Sequence, residues 1–309
     1  MVPTAGTRPT RSGRPRCPDA QTGCAFPRPF AHTVLDCRPI MDVMTSPQIS
    51  SRAQVSDRRT SRLAAILALL TERGTVSVTD LAAELGVSQA SLRRDLAVLE
   101  GQDLLKRVHG GATCRVLAGE LPVRYRDGQR RDAKARIAAA CVEAIPRRAM
   151  AVAISGGTTT TEVARRLHDR SELTVVTNAV NIATELATSP RLRVIIAGGT
   201  MRSESYEAVG AWTERFLEGL NFGVTVMGVD GISVAGGLTT HDAVEARTDQ
   251  KMAERSQRLF VVADASKIGK VVLSPIVPAS RVSMLFTEVG APADEVARLR
   301  AAGVEVHLV

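Results

Sequence analysis

The stretch of this chain with the plainest chemical capacity is Ser155-Gly156-Gly157-Thr158-Thr159-Thr160. It follows an apolar run, Met150 to Ile154, and leads straight into a helical pattern. Glycines let backbone N–H groups approach an anion, threonine hydroxyls add donors, and a helix N-terminus supplies positive potential. The pattern is that of a phosphate cradle, with a plain tight turn as its alternative. Other apolar runs end in a similar way. Val176 is followed by Thr177-Asn178, Ala197 by Gly198-Gly199, Met227 by Gly228-Val229-Asp230-Gly231 and Ala263 by Asp264-Ala265-Ser266-Lys267. A lysine there can neutralise a phosphate and carboxylates can hold sugar hydroxyls. Turn geometry for Gly228 and Gly231 and capping for Asp264 are the local alternatives.

A second stretch points to a different chemistry, the reading of duplex DNA. Ser77 with Asp80 three residues on starts a short helix whose Leu81 and Leu85 share a face. Gly86 can take the left-handed conformation that ends it. Ser88 then caps a second helix, in which Leu92, Leu96 and Leu99 line one side. Gln89, Ala90, Ser91, Arg93 and Arg94 are left facing outward. Arg62 to Glu72 forms a further helix upstream, and Leu104 to Thr113 reads as a small hairpin carrying Lys106, Arg107 and His109. This is a winged helix-turn-helix, with double-stranded operator DNA as the expected partner of Ser88, Gln89, Ser91, Arg93, Arg94, Lys106, Arg107 and His109.

From Met150 onward, apolar strands alternate with helices. Strands are expected at 150–154, 173–176, 194–196, 223–227, 259–262, 282–286 and 304–309. Helices are expected at 159–167, 179–187, 212–218, 243–255 and 294–302. Such alternation predicts an α/β fold, a mostly parallel doubly wound sheet whose ligands bind at the carboxyl ends of the strands. The expected organisation is a basic tail over 1–57 without regular structure, a winged helix-turn-helix over 58–114, a linker over 115–133 and an effector-binding domain over 134–309. Arg124 and Arg126 fall in that linker. Lys134, Ile137 and Ala138 lie in the first helix after it, about 132–145, and all of these read as connection and packing. In the tail, Arg8, Arg11, Arg14 and Arg16 form a basic arm for DNA, or else the natural start is Met41 or Met44.

The chain has 309 residues and a net charge of +8, which attracts polyanions. Aromatic residues make up 3%, which argues against a reader of single strands by stacking. No apolar run is long enough to cross a bilayer and no secretory leader is evident, so a cytoplasmic protein is expected. Five cysteines, three of them (Cys17, Cys24 and Cys37) in the tail near His32, lack the paired spacing of a zinc site. Neither a metal nor a cofactor is expected.

The run Leu92-Arg93-Arg94-Asp95-Leu96, with Leu99-Glu100 after it and then Arg107-Val108-His109-Gly110-Gly111-Ala112, closely resembles the DNA-binding domain of DeoR-type transcriptional repressors. Leu92 stands where that family usually has isoleucine. The later segments resemble the family's effector domain, and the resemblance runs from about Arg62 to Glu288. It implies a fold shared with ribose-5-phosphate isomerase and a phosphorylated sugar or related metabolite as effector. Gly157, Thr158 and Thr159 would take the phosphate, with Asn178, Gly199, Asp230 and Lys267 lining the rest of the pocket. Two positions depart from the family. Ser155-Gly156 replaces the common Asp-Ser, removing a carboxylate, and Thr287-Glu288 replaces Thr-Asp.

The expected function is thus a ligand-released repressor of carbohydrate genes, a homo-oligomer with paired half-sites and no catalytic residues. The rival is a sugar-phosphate isomerase carrying a DNA-binding domain. Isomerisation needs a carboxylate base with further acid groups beside it. Between Gly228 and Ser233 only Asp230 is acidic, although Glu245 could act as a base. A structural DNA binder, the third class, would need no pocket.

Overall fold

The computed structural model describes residues 47–114 and 121–309, with side chains from Arg59 onward. The expectations for the tail cysteines, His32 and the basic arm lie outside the described residues. The N-terminal part runs α1 (Pro47–Arg73), β1 (Thr75–Ser77), α2 (Val78–Glu84), α3 (Gln89–Gly101), β2 (Leu105–Val108) and β3 (Gly111–Cys114). The helix begins at Pro47, so an irregular tail extending to residue 57 is corrected: its last part is helical. Ser77 accepts from the Asp80 N–H at 3.0 Å, and Ser88 accepts from the Ser91 N–H at 3.2 Å. Gly86 takes φ 63° between the two helices. Leu92, Leu96 and Leu99 are fully buried against Ile66, Leu67, Leu70 and Leu81. Each such burial contributes about 1.5–3 kcal/mol, enough to hold the outer face of α3 in one orientation.

The wing has a strand that the sequence did not reveal. β1 pairs with β3, so the order is β1-β3-β2. Gly111 is required there, because a Cβ would lie 2.5 Å from the Val76 carbonyl oxygen. Gly110, at φ 77°, makes the turn before it.

Then follow α4 (Val123–Arg126), α5 (Arg131–Ala144), β4 (Met150–Ile154), α6 (Thr158–Arg165), β5 (Leu173–Thr177), α7 (Val180–Leu186) and β6 (Arg193–Ile196). A hairpin of β7 (Thr200–Arg202) and β8 (Glu207–Val209) leads to α8 (Ala211–Glu218) and β9 (Phe222–Gly228). The chain continues through β10 (Gly231–Ser233), β11 (Gly237–Thr240), α9 (Ala243–Glu254), β12 (Ser256–Val262) and β13 (Ser274–Pro275). It ends with β14 (Met284–Thr287), α10 (Ala293–Ala301) and β15 (Glu305–Leu308).

Seven strands form one parallel sheet in the order β15-β14-β12-β9-β4-β5-β6. Side chains alternate between its faces, as strand geometry requires. Val152 and Ile154 of β4 join one core with Ile137, Val163 and Ile182 from α5, α6 and α7. Ala153, between them, joins the other with Leu217, Met252 and Leu299 from α8, α9 and α10. The chain winds outward from β4 through β5 to β6, then returns to β9 on the other side of β4 and winds the opposite way. The reversal leaves a crevice at the carboxyl ends of β4 and β9, where ligands enter such sheets. No helix among the described residues is long and apolar enough to cross a membrane.

Candidate functional site

A cavity sits at that crevice, and its two ends differ in charge. On one side Gly157, at φ 127°, turns the chain from β4 into α6, with Thr158 and Thr159 in the first turn. Gly228 closes on this loop so tightly that a Cβ would lie 2.9 Å from the Gly156 carbonyl oxygen. Arg126, Arg130, Lys134 and Lys267 bring cationic groups to the same cavity. Lys134 is buried and donates to the Arg126 carbonyl at 2.6 Å. Its burial lowers the amine pKa to about 8, against the opposing pull of Asp264 and Asp127.

Asp230 joins the two ends. One of its oxygens receives Arg126 Nη1 and Lys267 Nζ, each at 3.1 Å. Burial pushes its pKa up, but Arg126, Lys267 and His241 outweigh that and hold it at about 2. Beyond it lie Glu207, Glu245 and Asp249, all buried and all lining the cavity. Burial first, then the charge of Glu207, pushes Glu245 up to about 8, despite Arg202 Nη1 at 3.0 Å from its Oε2. Asp249 is raised by burial and then by Glu207, Glu245 and Asp230. Thr240 Oγ1 stands 3.2 Å from Asp230 and 2.5 Å from Glu245. One hydroxyl carries one proton, so it donates to only one of the two carboxyl groups at a time.

Glu207 explains one departure from the family. Its Oε1 accepts from the Gly156 N–H at 2.6 Å, and a Cβ on Gly156 would strike its carboxyl group. The missing side chain at 156 is therefore the space in which a carboxyl from β8 stands. Tyr206, the residue before it, is held at φ 61°, and Arg130 at the cavity has φ 51°. Backbone strain of this kind costs about 1–3 kcal/mol and persists where the surroundings impose it. The other departure, Glu288, accepts from Arg130 at 2.8 Å and from the Ala265 N–H at 3.0 Å, closing the cavity's edge.

The fold brings Gly157, Thr158, Thr159, Asp230 and Lys267 together. Asn178 and Gly199 are not brought there, which corrects their expected place. Asn178 is wholly buried and donates to the Ala208 carbonyl at 3.1 Å, bracing the β7–β8 hairpin. Gly199 is pressed against Thr213, with no room for a side chain. Sequence reasoning missed Arg126 and Lys134, read as connection and packing, and Glu207 and Asp249 altogether. One signal was available for Asp249: it sits four residues after Glu245 on α9, and like charges at that spacing repel unless something compensates.

On the N-terminal part, Gln89, Arg93 and Arg94 of α3 are exposed beside the exposed wing residues Lys106 and His109. Arg94 Nη2 donates to Ser91 Oγ at 3.2 Å, and Arg107 is engaged by Glu100. Asp95, on the inner side of α3, is clamped by Arg59 at 3.2 Å and Arg62 at 2.6 Å.

Residues 62–115 match the DeoR-like helix-turn-helix domain, and residues 129–289 match the DeoR C terminal sensor domain. The chain belongs to the DeoR family. A DeoR relative in Escherichia coli O157:H7, described as an aga operon transcriptional repressor, is 35% identical over 79% of this chain and 91% of its own length. The glycerol-3-phosphate regulon repressor of Escherichia coli K12 is 32% identical over 76% of this chain and 93% of its own. Among solved structures, ribose 5-phosphate isomerase from Plasmodium falciparum aligns at 15% identity over 43% of this chain and 51% of that one, with a TM-score of 0.32. As a DeoR-family protein, this chain is a DNA-binding transcriptional regulator with a sensor domain.

Proposed function

We propose that this DeoR protein is a repressor that holds operator DNA through α3 and the wing and releases it when a phosphorylated sugar enters the sensor cavity. Gln89, Arg93 and Arg94 read the major groove, and Lys106 and His109 touch the backbone beside it. In the cavity, Gly157, Thr158 and Thr159 take the phosphate and Lys267 and Arg126 neutralise it. One observation carries the reading. Arg126 pairs with Asp230 in the cavity, while its neighbour Tyr125 is buried in the N-terminal core and donates to Gln102 Oε1 at 2.6 Å. Gln102 is the residue that ends α3. A phosphate competing with Asp230 for Arg126 therefore acts one peptide unit away from the DNA-reading part. A ligand shifts an equilibrium only by its differential affinity for the two states, and this contact supplies a difference. The regulon named for one relative is that of glycerol-3-phosphate, itself a phosphorylated compound.

The deciding experiment is operator binding by gel shift, titrated with sugar phosphates that raise the melting temperature. Lys267→Ala is expected to need about ten- to a hundredfold more ligand for release, the worth of one charge-assisted hydrogen bond. Release at the wild-type ligand concentration would put the phosphate elsewhere. We read the buried acids as ligand-holding, without turnover. Ser233 is not among the residues that line the cavity, and its Oγ accepts the Gly236 N–H at 2.9 Å and serves the turn. Incubation with ribose 5-phosphate is expected to give no ketose. We also infer that the repressor acts in the cytoplasm and as a homo-oligomer, since paired half-sites raise affinity beyond what one small domain reaches.

A further inference from the structure

We infer that the inner end of the cavity takes a cationic amine, so that the effector is an amino sugar phosphate. The inference rests on the sensor reading above and specifies which phosphorylated sugar the site prefers. Five acidic side chains line the cavity, Glu207, Asp230, Glu245, Asp249 and Asp264, and the last of these caps the turn after β12, its Oδ1 accepting the Ser266 N–H at 2.9 Å. Asp230 is already matched by Arg126 and Lys267. Of the remaining three, Glu245 is reached by Arg202 at 3.0 Å, and that guanidinium also lies 3.8 Å from Asp242. The inner end thus holds more acid than base.

Asp249 gives the second, independent pointer. It is 2% exposed, it lines the cavity, and its Oδ1 has no hydrogen-bond partner. A buried carboxyl oxygen without a donor costs free energy that an arriving donor recovers. A hydroxyl brings one donor and no charge. An ammonium brings three donors and the charge that offsets the mutual repulsion of three carboxyl groups. A metal ion does not fit, because no group of three or more His, Cys, Asp or Glu side chains among the described residues is arranged to hold one. The absence of a side chain at Gly156 belongs to the same design, since it is what lets Glu207 stand beside the phosphate loop. A phosphate at Gly157 to Thr159 and an amine at Asp249 would be two charged groups of one small ligand.

The test is isothermal titration of the full-length protein with matched pairs: glucosamine 6-phosphate against glucose 6-phosphate, and galactosamine 6-phosphate against galactose 6-phosphate. The N-acetylated forms and inorganic phosphate complete the set. At least one amine is expected to bind about tenfold tighter than its hydroxyl partner, and acetylation is expected to remove the advantage. Asp249→Asn, and separately Glu207→Gln, is expected to shrink that ratio to about threefold or less, with circular dichroism confirming the fold. If paired sugars bind alike, or the hydroxyl forms bind tighter, the sensor reading stands and the amine is overturned. A preference that survives both substitutions overturns the inner end as its source. If no sugar phosphate and no phosphate binds, the sensor reading falls and takes the inference with it.

Discussion

Asp230 and Glu245 share a threonine yet respond to pH in opposite directions. Asp230 is held at about 2, below its ordinary 3.8, so its stabilisation of roughly 2 kcal/mol is complete above 3.8 and is lost as pH falls toward 2. Glu245 is raised from 4.5 to about 8, so the unfolded chain releases its proton long before the folded one does. Over that window the unfolded state binds fewer protons, and stability falls as pH rises. Glu245→Gln is expected to flatten this decline, read as the urea midpoint followed between pH 4.5 and about 8. An unchanged slope would assign the decline to other groups. At this scale the sequence disclosed the residues that follow a strand directly, Gly157, Thr158, Asp230 and Lys267. It did not disclose Glu207 or Asp249, whose place depends on a hairpin and a helix folding back across the crevice. Asn178 and Gly199 carry the same strand-end signature as the true cavity residues, but packing against Ala208 and Thr213 claims them.

Helices α2 and α3 of the reading head were legible in the sequence because each has a serine cap and an apolar period within its own segment, whereas the start of α1 at Pro47 was not. Nor were the short strands. β1, β7, β8 and β10 have three residues each, too few for a period of two to show, and the partner of β1 lies more than thirty residues further on. α3 shows how an element divides its labour. Leu92, Asp95, Leu96 and Leu99 are buried, while Gln89, Arg93 and Arg94 are exposed. Replacing Arg93 and Arg94 with Ala is expected to abolish operator binding at fixed salt while leaving circular dichroism unchanged, each lost base contact costing about 1–3 kcal/mol. Undiminished affinity in a gel-shift titration would move the reading surface off α3. Arg107, engaged by Glu100, is expected to matter less than Lys106 or His109.

For the molecule as a whole, the proposed homo-oligomer needs a face, and α8 is the candidate. Trp212 is 78% exposed and Phe216, four residues on, is 39% exposed, so both project from one side of the helix. Trp212→Glu is expected to shift sedimentation toward the monomer and to weaken operator binding without lowering the melting temperature. Unaltered sedimentation would place the contact elsewhere. The adjacency of Tyr125 and Arg126 bears on a different enterprise, the grafting of sensors onto new reading heads. The obvious crossover point between parents lies in the connection before Pro122, yet Tyr125 is buried with the reading head and touches Gln102. A chimera joined there would inherit residue 102 from one parent and residue 125 from the other, binding DNA and ligand but deaf between them. If the proposed coupling holds, a responsive chimera is expected to need its seam between Tyr125 and Arg126, or residues 102 and 125 carried as an inseparable pair.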